Sequence, residues 1–382
     1  MEETSSMSTI CIFSALFPPS MGGVERFTDC LSAELAHEGH SVVVVTNNTH
    51  GLDSKEMLHS GVQVVRLPCV NLVDGRYPVP VRNALFYELM NYLNDIEFDG
   101  VLVNARFYLH SLLGVQFARR QGLRAVVLDH GSAYLTLGSR VLDRMIKFYE
   151  DCITSYLRRL SVDFYGISAK SAEWLKHFGI VPKGVIGNAI DAASFRGQAS
   201  NRSYRDELGI ADDALLLSFT GRLVPEKGID VLLETMGLLH EYPVELVVAG
   251  DGPLLSSIED AHLSNVHAVG RLEQPDIAAL LLESDLFCLP TRSEGFCTSL
   301  LESAACGTPF LVTDVGGAKE IAPNEDYGFI TDSANASEFA SIVNSIIDSQ
   351  VDLQHMGGLC ASRVESTCSW SAVASILLAA FD

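Results

Sequence analysis

The run Asp285-Leu-Phe-Cys-Leu-Pro290 and the segment Glu294-Gly-Phe-Cys-Thr-Ser-Leu-Leu-Glu302 after it decide how this chain is read. The first is short, apolar and closed by proline, the pattern of a buried parallel strand. The second sets one carboxylate in a loop, then a glycine, then a second carboxylate inside a helical pattern. Strand, loop and helix in that order present a ligand at the carboxyl edge of a sheet. Backbone N–H groups near Thr298 and Ser299 fall at the helix start, where partial positive charge favours phosphate. A carboxylate beside a phosphate is repelled by it, so Glu294 and Glu302 read as charge-assisted acceptors for hydroxyls. Phosphate together with several hydroxyls describes a nucleotide sugar.

Leu215-Leu-Leu-Ser-Phe-Thr220 reads as another strand, followed by Gly221-Arg222-Leu-Val-Pro-Glu226-Lys227-Gly228 and a helical pattern from Ile229. Two cations in a glycine-bounded loop suit a diphosphate, because arginine offers a planar fork and lysine a mobile point charge. Alone, they would read as ordinary solvated residues; beside the paired glutamates they read as an anion site. Both are expected to face solvent when no ligand is bound.

Pro19-Ser-Met-Gly22-Gly23-Val-Glu25, His130-Gly131, Gly187-Asn188-Ala-Ile-Asp191, Gly250-Asp-Gly-Pro253 and Val269-Gly270 join these two segments in a fixed order along the chain. Together they resemble the retaining glycosyltransferases of the GT-B fold, in the nucleotide-sugar-dependent group called family four. Residues 50–125 and 132–165 hold no such landmarks. The resemblance implies an α/β protein with two Rossmann-like domains facing across a deep cleft. Residues 1–187 would bind the acceptor, 188–365 the donor, and 366–382 would form a helix crossing back to the N-terminal domain. It also implies metal-independent transfer, in which an acceptor hydroxyl replaces the nucleoside diphosphate. Arg222, Lys227 and the amides of Thr298 and Ser299 would hold the leaving diphosphate, whose growing charge they stabilise. Glu302 would bind ribose hydroxyls; Glu294 and the amides of Gly295 and Phe296 would hold the sugar's hydroxyls. Glu294 occupies the position once assigned as a covalent nucleophile. A binding role is preferred, with the donor phosphate taking the acceptor proton in a same-face substitution. Gly22 and Gly23 let backbone approach the diphosphate or the acceptor, because no Cβ intervenes. His130 reads as a donor-sugar or transition-state contact, against a satisfied structural histidine. Asn188 is a cleft or turn residue, Glu25 an acceptor contact or a solvated first-turn residue, Arg271 a donor contact or a surface arginine. Gly250 belongs to the cleft lining.

The 382 residues fit two domains, each large enough for its own core. Nine cysteines occur singly, an odd count that argues against a disulfide framework. The regular spacing of Cys288, Cys297 and Cys306 reads as packing rather than metal ligation, and a reducing compartment follows. The net charge of −22 is uneven: residues 1–190 hold 17 Lys and Arg against 19 Asp and Glu, whereas residues 191–382 hold 9 against 29. The acidic half repels nucleic acid and anionic lipid, which leaves the N-terminal half as the side open to membrane contact. Glu2 and Glu3 stand where a secretory signal needs positive charge, and no run approaches the length of a membrane span. The expectation is a cytoplasmic protein, with contact to the inner face of the plasma membrane left open.

Strand and helix patterns alternate through the first half, with strands at 10–14, 41–46, 62–67, 101–104, 125–129 and 164–168 and helices after Gly23 and over 169–178. The scheme resets near 187–196 and repeats with strands at 215–220, 244–249, 266–269, 286–290 and 310–313, then a final helix over 370–381. Continuous apolar strands in this alternation make parallel sheets covered on both faces. No G-x-G-x-x-G precedes a suitably placed acidic residue, which argues against a dinucleotide dehydrogenase. A strict D-x-D is absent; Asp95-Ile-Glu97 reads as a turn and His37-Glu-Gly-His40 as a helix end. Neither metal nor cofactor is expected, the nucleotide sugar being a co-substrate.

Residues 139–160 combine Arg140, Arg144, Lys147 and Arg158 with Leu142, Met145, Tyr149, Ile153 and Leu160 near helical spacing. A packed helix with a solvated basic face is favoured over an amphipathic surface for anionic lipid or a lipid-linked acceptor. Other functions fit the fold: a nucleotide-sugar epimerase, a phosphorylase needing lysine-bound pyridoxal phosphate, or a non-catalytic partner subunit. The last should have lost Arg222, Lys227, Glu294 or Glu302, and all four are present. Family frequency alone tilts the donor to a UDP-sugar over a GDP-sugar. Family habit points to a cell-surface glycan, glycolipid or lipid-linked acceptor, and no nucleic acid.

Overall fold

The computed structural model describes residues 7–73, 75–135, 140–160 and 162–382. Ser139, at the edge of the basic segment, lies outside them. The chain divides into two compact units, Met1–Asn188 with Trp370–Asp382, and Ala189–Ser369.

Among the described residues the first unit forms an eight-stranded sheet. Its order is Gly184–Val185, Val162–Gly166, Ala125–Asp129, Gly100–Asn104, Thr9–Ser14, Ser41–Asn47, Gln63–Leu67 and Lys55–Met57. Every pair is parallel except the last. Central strands are buried on both faces, which explains their unbroken apolar runs. Phe13, Val43, Val103 and Val127 share one core with Phe86, Leu89 and Phe117 from the helices Ala84–Asn94 and Leu109–Arg120. The strand expected at 164–168 runs instead over Val162–Gly166. Ser168 is taken by the next helix: its hydroxyl accepts from the Ser171 N–H at 3.1 Å and caps Ala169–His177. An antiparallel pair, Cys69–Leu72 with Tyr77–Pro80, was not foreseen. The helix Trp370–Ala379 packs on Gly23–His37, with the Trp370 and Phe27 rings 5.7 Å apart.

The second unit forms a parallel sheet in the order Val266–Gly270, Val244–Ala249, Leu215–Thr220, Leu286–Leu289, Phe310–Thr313, Phe329–Thr331. The order reverses between Leu215–Thr220 and Leu286–Leu289, so the loops after these two strands leave the carboxyl edge side by side. Such a switch point is where open α/β sheets bind ligands. In the first unit it lies between Thr9–Ser14 and Gly100–Asn104. All nine cysteines, each among the described residues, are free thiols. Among the described residues no helix is long and apolar enough to cross a membrane.

Candidate functional site

In the second unit the two switch-point loops are stitched together by backbone. Gly228 sits at φ +73°, and a Cβ there would lie 2.0 Å from the Pro290 carbonyl oxygen, so only glycine lets the loops close to this distance. The Arg292 N–H donates to Glu226 O at 2.8 Å, and the Thr291 hydroxyl donates to the same oxygen at 3.0 Å. The Arg292 guanidinium holds Asp230 at 2.7 Å and donates to Pro225 O. Sequence reasoning passed over Arg292, whose only signal was its place in a loop already singled out.

This stitching brings Lys227 onto Glu294, where its ammonium donates to Oε1. Thr291 Oγ1 lies 3.3 Å from the same oxygen. Lys227 therefore does not face solvent as expected: the two side chains are only 18 % and 14 % exposed. Arg222 is exposed. Burial alone would depress the Lys227 ammonium. The Cys297 sulfur, the Glu294 carboxylate and the bond to it outweigh burial and the opposing charge of Arg222, and hold its pKa above the ordinary lysine value.

Glu294, Gly295 and Phe296 meet a third loop, after Phe310–Thr313. A Cβ on Gly316 would come within 3.0 Å of Glu294 Cβ, and one on Gly317 within 2.4 Å of the Phe296 ring. This Val315-Gly-Gly wall was readable only as a glycine pair after a strand. Thr298, exposed, and Ser299, buried, open the helix Thr298–Ala305. No side-chain hydrogen bond caps it, so its first-turn amides retain the capacity to bind an anion. Glu302 is buried further along this helix, with Glu294 outside it in the loop.

Gly250 supports the loop of Arg222. Its N–H donates to Gly270 O at 2.8 Å, and a Cβ on it would sit 1.9 Å from Gly221 O. Arg271 follows Gly270 and is exposed.

In the first unit, Gly22 precedes the helix Gly23–His37 and Glu25 lies in its first turn. Glu25 is not the solvated residue that this place suggests. It is buried, and its carboxylate folds back so that a Cβ on Gly22 would meet Oε2 at 2.2 Å. The helix start attracts negative charge, while burial raises the Glu25 pKa against the backbone N–H that lowers it. Gly23 is exposed with open space at its Cα.

His130 follows the strand Ala125–Asp129, with Nε2 3.0 Å from Asn104 Oδ1. The Asn104 amide donates to Thr28 Oγ1 at 2.8 Å, and Thr28 Oγ1 donates to Val24 O at 2.7 Å. Asn104 thus has its oxygen left to accept, which puts the hydrogen on His130 Nε2 and the lone pair on Nδ1. Burial pushes the His130 pKa down to about 3, so the ring is neutral. Ala105, at φ +61°, turns the chain so that Asn104 reaches His130 and Arg106 reaches its neighbour Asp129. Arg106 is buried and binds Asp129 at 3.1 Å, Glu150 at 3.0 Å and Thr154 at 2.8 Å. Burial raises Asp129 to about 6 despite Arg106, with Glu150 adding to the rise. Asn104 and Arg106 were missed by sequence reasoning, since a lone buried arginine has no local pattern. Asn188 is buried at the end of the first unit.

The structure therefore brings Arg222, Lys227, Glu294, Gly295, Phe296, Thr298 and Ser299 to one switch point, with Gly250 and Arg271 on the loops after the two strands beyond Leu215–Thr220. Cations and helix amides there can hold an anion, and the carboxylates can accept from hydroxyls. Among the described residues no group of three or more His, Cys, Asp or Glu is placed to hold a metal ion.

The family model Glycosyltransferase Family 4 matches residues 21–194, and the model Glycosyl transferases group 1 matches residues 200–358. The chain is 27 % identical over 326 residues to a subunit of human phosphatidylinositol N-acetylglucosaminyltransferase, covering 82 % of this chain and 63 % of that protein. It is 25 % identical over 393 aligned positions to the D-inositol 3-phosphate glycosyltransferase of Paenarthrobacter aurescens, covering 94 % and 92 %. Anabaena HepE, solved in complex with UDP-glucose, shares the fold with a TM-score of 0.71 over 98 % of this chain and 99 % of that one, at 16 % identity. With both halves matched in the family's order, the chain belongs to the GT-B glycosyltransferases of family four.

Proposed function

We propose that this glycosyltransferase takes its sugar from a nucleoside diphosphate, a UDP-sugar in preference to a GDP-sugar, and retains the anomeric configuration without a metal. The observation that supports the reading is the Lys227–Glu294 pair at the second sheet's switch point, beside exposed Arg222 and the uncapped start of Thr298–Ala305. Diphosphate oxygens take Lys227 as their partner, together with Arg222 and the amides of Thr298 and Ser299. Glu294, released from the ammonium, accepts from the sugar's hydroxyls beside the Gly295 and Phe296 amides. Glu302 accepts from the ribose. Neutral His130 offers a lone pair at Nδ1 to a hydroxyl. The anomeric carbon–phosphate oxygen bond breaks, the acceptor oxygen bonds that carbon on the same face, and the acceptor proton passes to the leaving phosphate.

Two relatives are named for acceptors that carry inositol. This favours an inositol hydroxyl on a lipid or phosphate ester as acceptor, in glycolipid or cell-surface glycan synthesis. A lipid acceptor lies at a membrane, so peripheral contact through the N-terminal unit, at a cytoplasmic membrane face, belongs to the same reading. The test supplies UDP-N-acetylglucosamine, UDP-glucose or GDP-mannose with phosphatidylinositol or inositol phosphate and follows nucleotide release. Release that needs an acceptor supports transfer; conversion of the donor to its epimer without an acceptor overturns it. A product of inverted configuration by NMR overturns retention.

A further inference from the structure

The helix Arg140–Leu157 is amphipathic in an unusual sense. Its inner face is partly charged: Glu150 and Thr154 are buried on Arg106, beside Ile153 and Leu157. Its outer face is apolar. Val141, Met145 and Phe148 are 71 %, 64 % and 70 % exposed, and exposed Cys152 and Tyr156 continue the stripe at helical spacing. Leu142 widens it. The expectation of a packed apolar side therefore holds for buried Ile153 and for half-buried Tyr149 and Leu160, but fails for Leu142 and Met145. The reason lies inside: the buried guanidinium of Arg106 claims carboxylate and hydroxyl partners from this helix, and its apolar side chains are turned outward.

Three cations border that stripe. Arg140, Arg144 and Lys147 each stand one residue before Val141, Met145 and Phe148, and all three are exposed. Of the helix's other carboxylates, Asp143 and Asp151 are half-buried, and Asp151 accepts from the Tyr134 hydroxyl at 2.7 Å. The unforeseen hairpin touches this helix through the Tyr77 and Tyr149 hydroxyls and exposes Val70 and Leu72. An apolar stripe edged by cations matches the boundary between anionic headgroups and acyl chains. A second copy of the chain matches less well, because a two-fold contact would set the same cations against each other.

We propose that the outer face of Arg140–Leu157 is the surface by which the protein lies on an anionic lipid bilayer. Val141, Met145 and Phe148 enter the acyl boundary while Arg140, Arg144 and Lys147 meet lipid phosphates. The inference deepens the membrane contact proposed above and rests on it. Binding is measured without donor or acceptor, so failure of docking and failure of transfer are read separately.

The full chain is floated with vesicles of phosphatidylcholine alone or with added phosphatidylserine. Flotation is expected with the anionic vesicles only, falling at least tenfold in Met145→Glu/Phe148→Glu and in Arg140→Glu/Arg144→Glu/Lys147→Glu, with melting temperature unchanged. Because the altered variants could be misfolded, Phe148→Trp gives a second reading: its emission should shift to the blue when anionic vesicles are added. Wild-type protein that stays unbound, flotation indifferent to both sets of changes, or an emission that does not move overturns the proposal. A dimer abolished by Phe148→Glu, in protein that ignores vesicles, assigns the face to a second copy instead.

Discussion

Lys227 donates a hydrogen bond to Glu294 across 67 residues of sequence, at the point where the strand order of the second sheet reverses. Each neutralises the other in a half-buried setting. In the proposed function a bound diphosphate takes the ammonium from the carboxylate, and the exchange supplies an acceptor for the sugar as it supplies a cation for the phosphate. Lys227→Ala should lower kcat/KM by about 10²–10³, the range for losing one charge-stabilising donor. It should also cost about 1–3 kcal/mol of stability, because Glu294 is left without its cation. Steady-state kinetics and urea unfolding of both single variants and the double variant measure this. Activity within threefold of wild type would remove Lys227 from the mechanism, and additive stabilities would show the pair uncoupled.

Backbone proximity holds the Arg222 loop, and glycine substitutions test that directly. Gly250→Ala places a Cβ 1.9 Å from the Gly221 carbonyl oxygen, which cannot swing aside as a side chain would. A loss of about 2–4 kcal/mol is expected, with weaker nucleotide binding as the Arg222 loop shifts. Gly237→Ala meets nothing within 4 Å in the helix Ile229–Leu238 and should gain about 0.5–1 kcal/mol. Equal effects of the two changes in urea unfolding would refute the packing argument.

The second unit was legible because its chemistry is local. Strand, glycine-bounded loop and helix lie within a few residues of each other, and period and turn chemistry locate them. Pairing of Lys227 with Glu294 was not legible, since it depends on Gly228 meeting Pro290 and on Arg292 tying the loops. Arg106 shows the same limit in the first unit: its partners Asp129, Glu150 and Thr154 come from a strand and a later helix. That one buried guanidinium also explains why Leu142 and Met145, at the start of the basic helix, face outward although Ile153 on the same stripe is buried. Periodicity gives the stripe, but not which side of it meets the core.

Glu302 is buried within its helix, whereas Glu294 lies in the loop before it. In the proposed function the two serve different parts of one donor, so their variants should separate. Glu302→Gln should weaken free UDP binding about tenfold with a smaller effect on turnover of saturated enzyme, the cost of replacing a charge-assisted bond by a neutral one. Glu294→Gln should leave UDP affinity within about threefold and lower turnover instead. Calorimetry with UDP and initial rates distinguish them; unaltered UDP affinity in Glu302→Gln would contradict the ribose assignment.

His130 supplies a test through pH. Its ring is held neutral, with a pKa of about 3 against an ordinary value of 6.5. Between those values the unfolded chain binds more protons than the folded one, so stability from this residue is complete above pH 6.5 and falls as pH drops toward 3. His110, lowered to about 4 by burial, acts in the same direction. Asp129 acts oppositely: raised from 3.8 to about 6, it holds its proton longer when folded, and its contribution declines as pH rises through that window. Comparison of wild type with His130→Asn isolates the histidine. The stability difference should be flat from pH 7 to 8 and should shift in favour of the variant as pH falls below 6.5. The wild-type rate should likewise show no inflection from His130 between pH 6 and 8, because the ring stays neutral throughout that range. A difference in stability that stays constant from pH 7 to 4, measured by urea unfolding, would mean the ring titrates normally and is not held neutral by its surroundings.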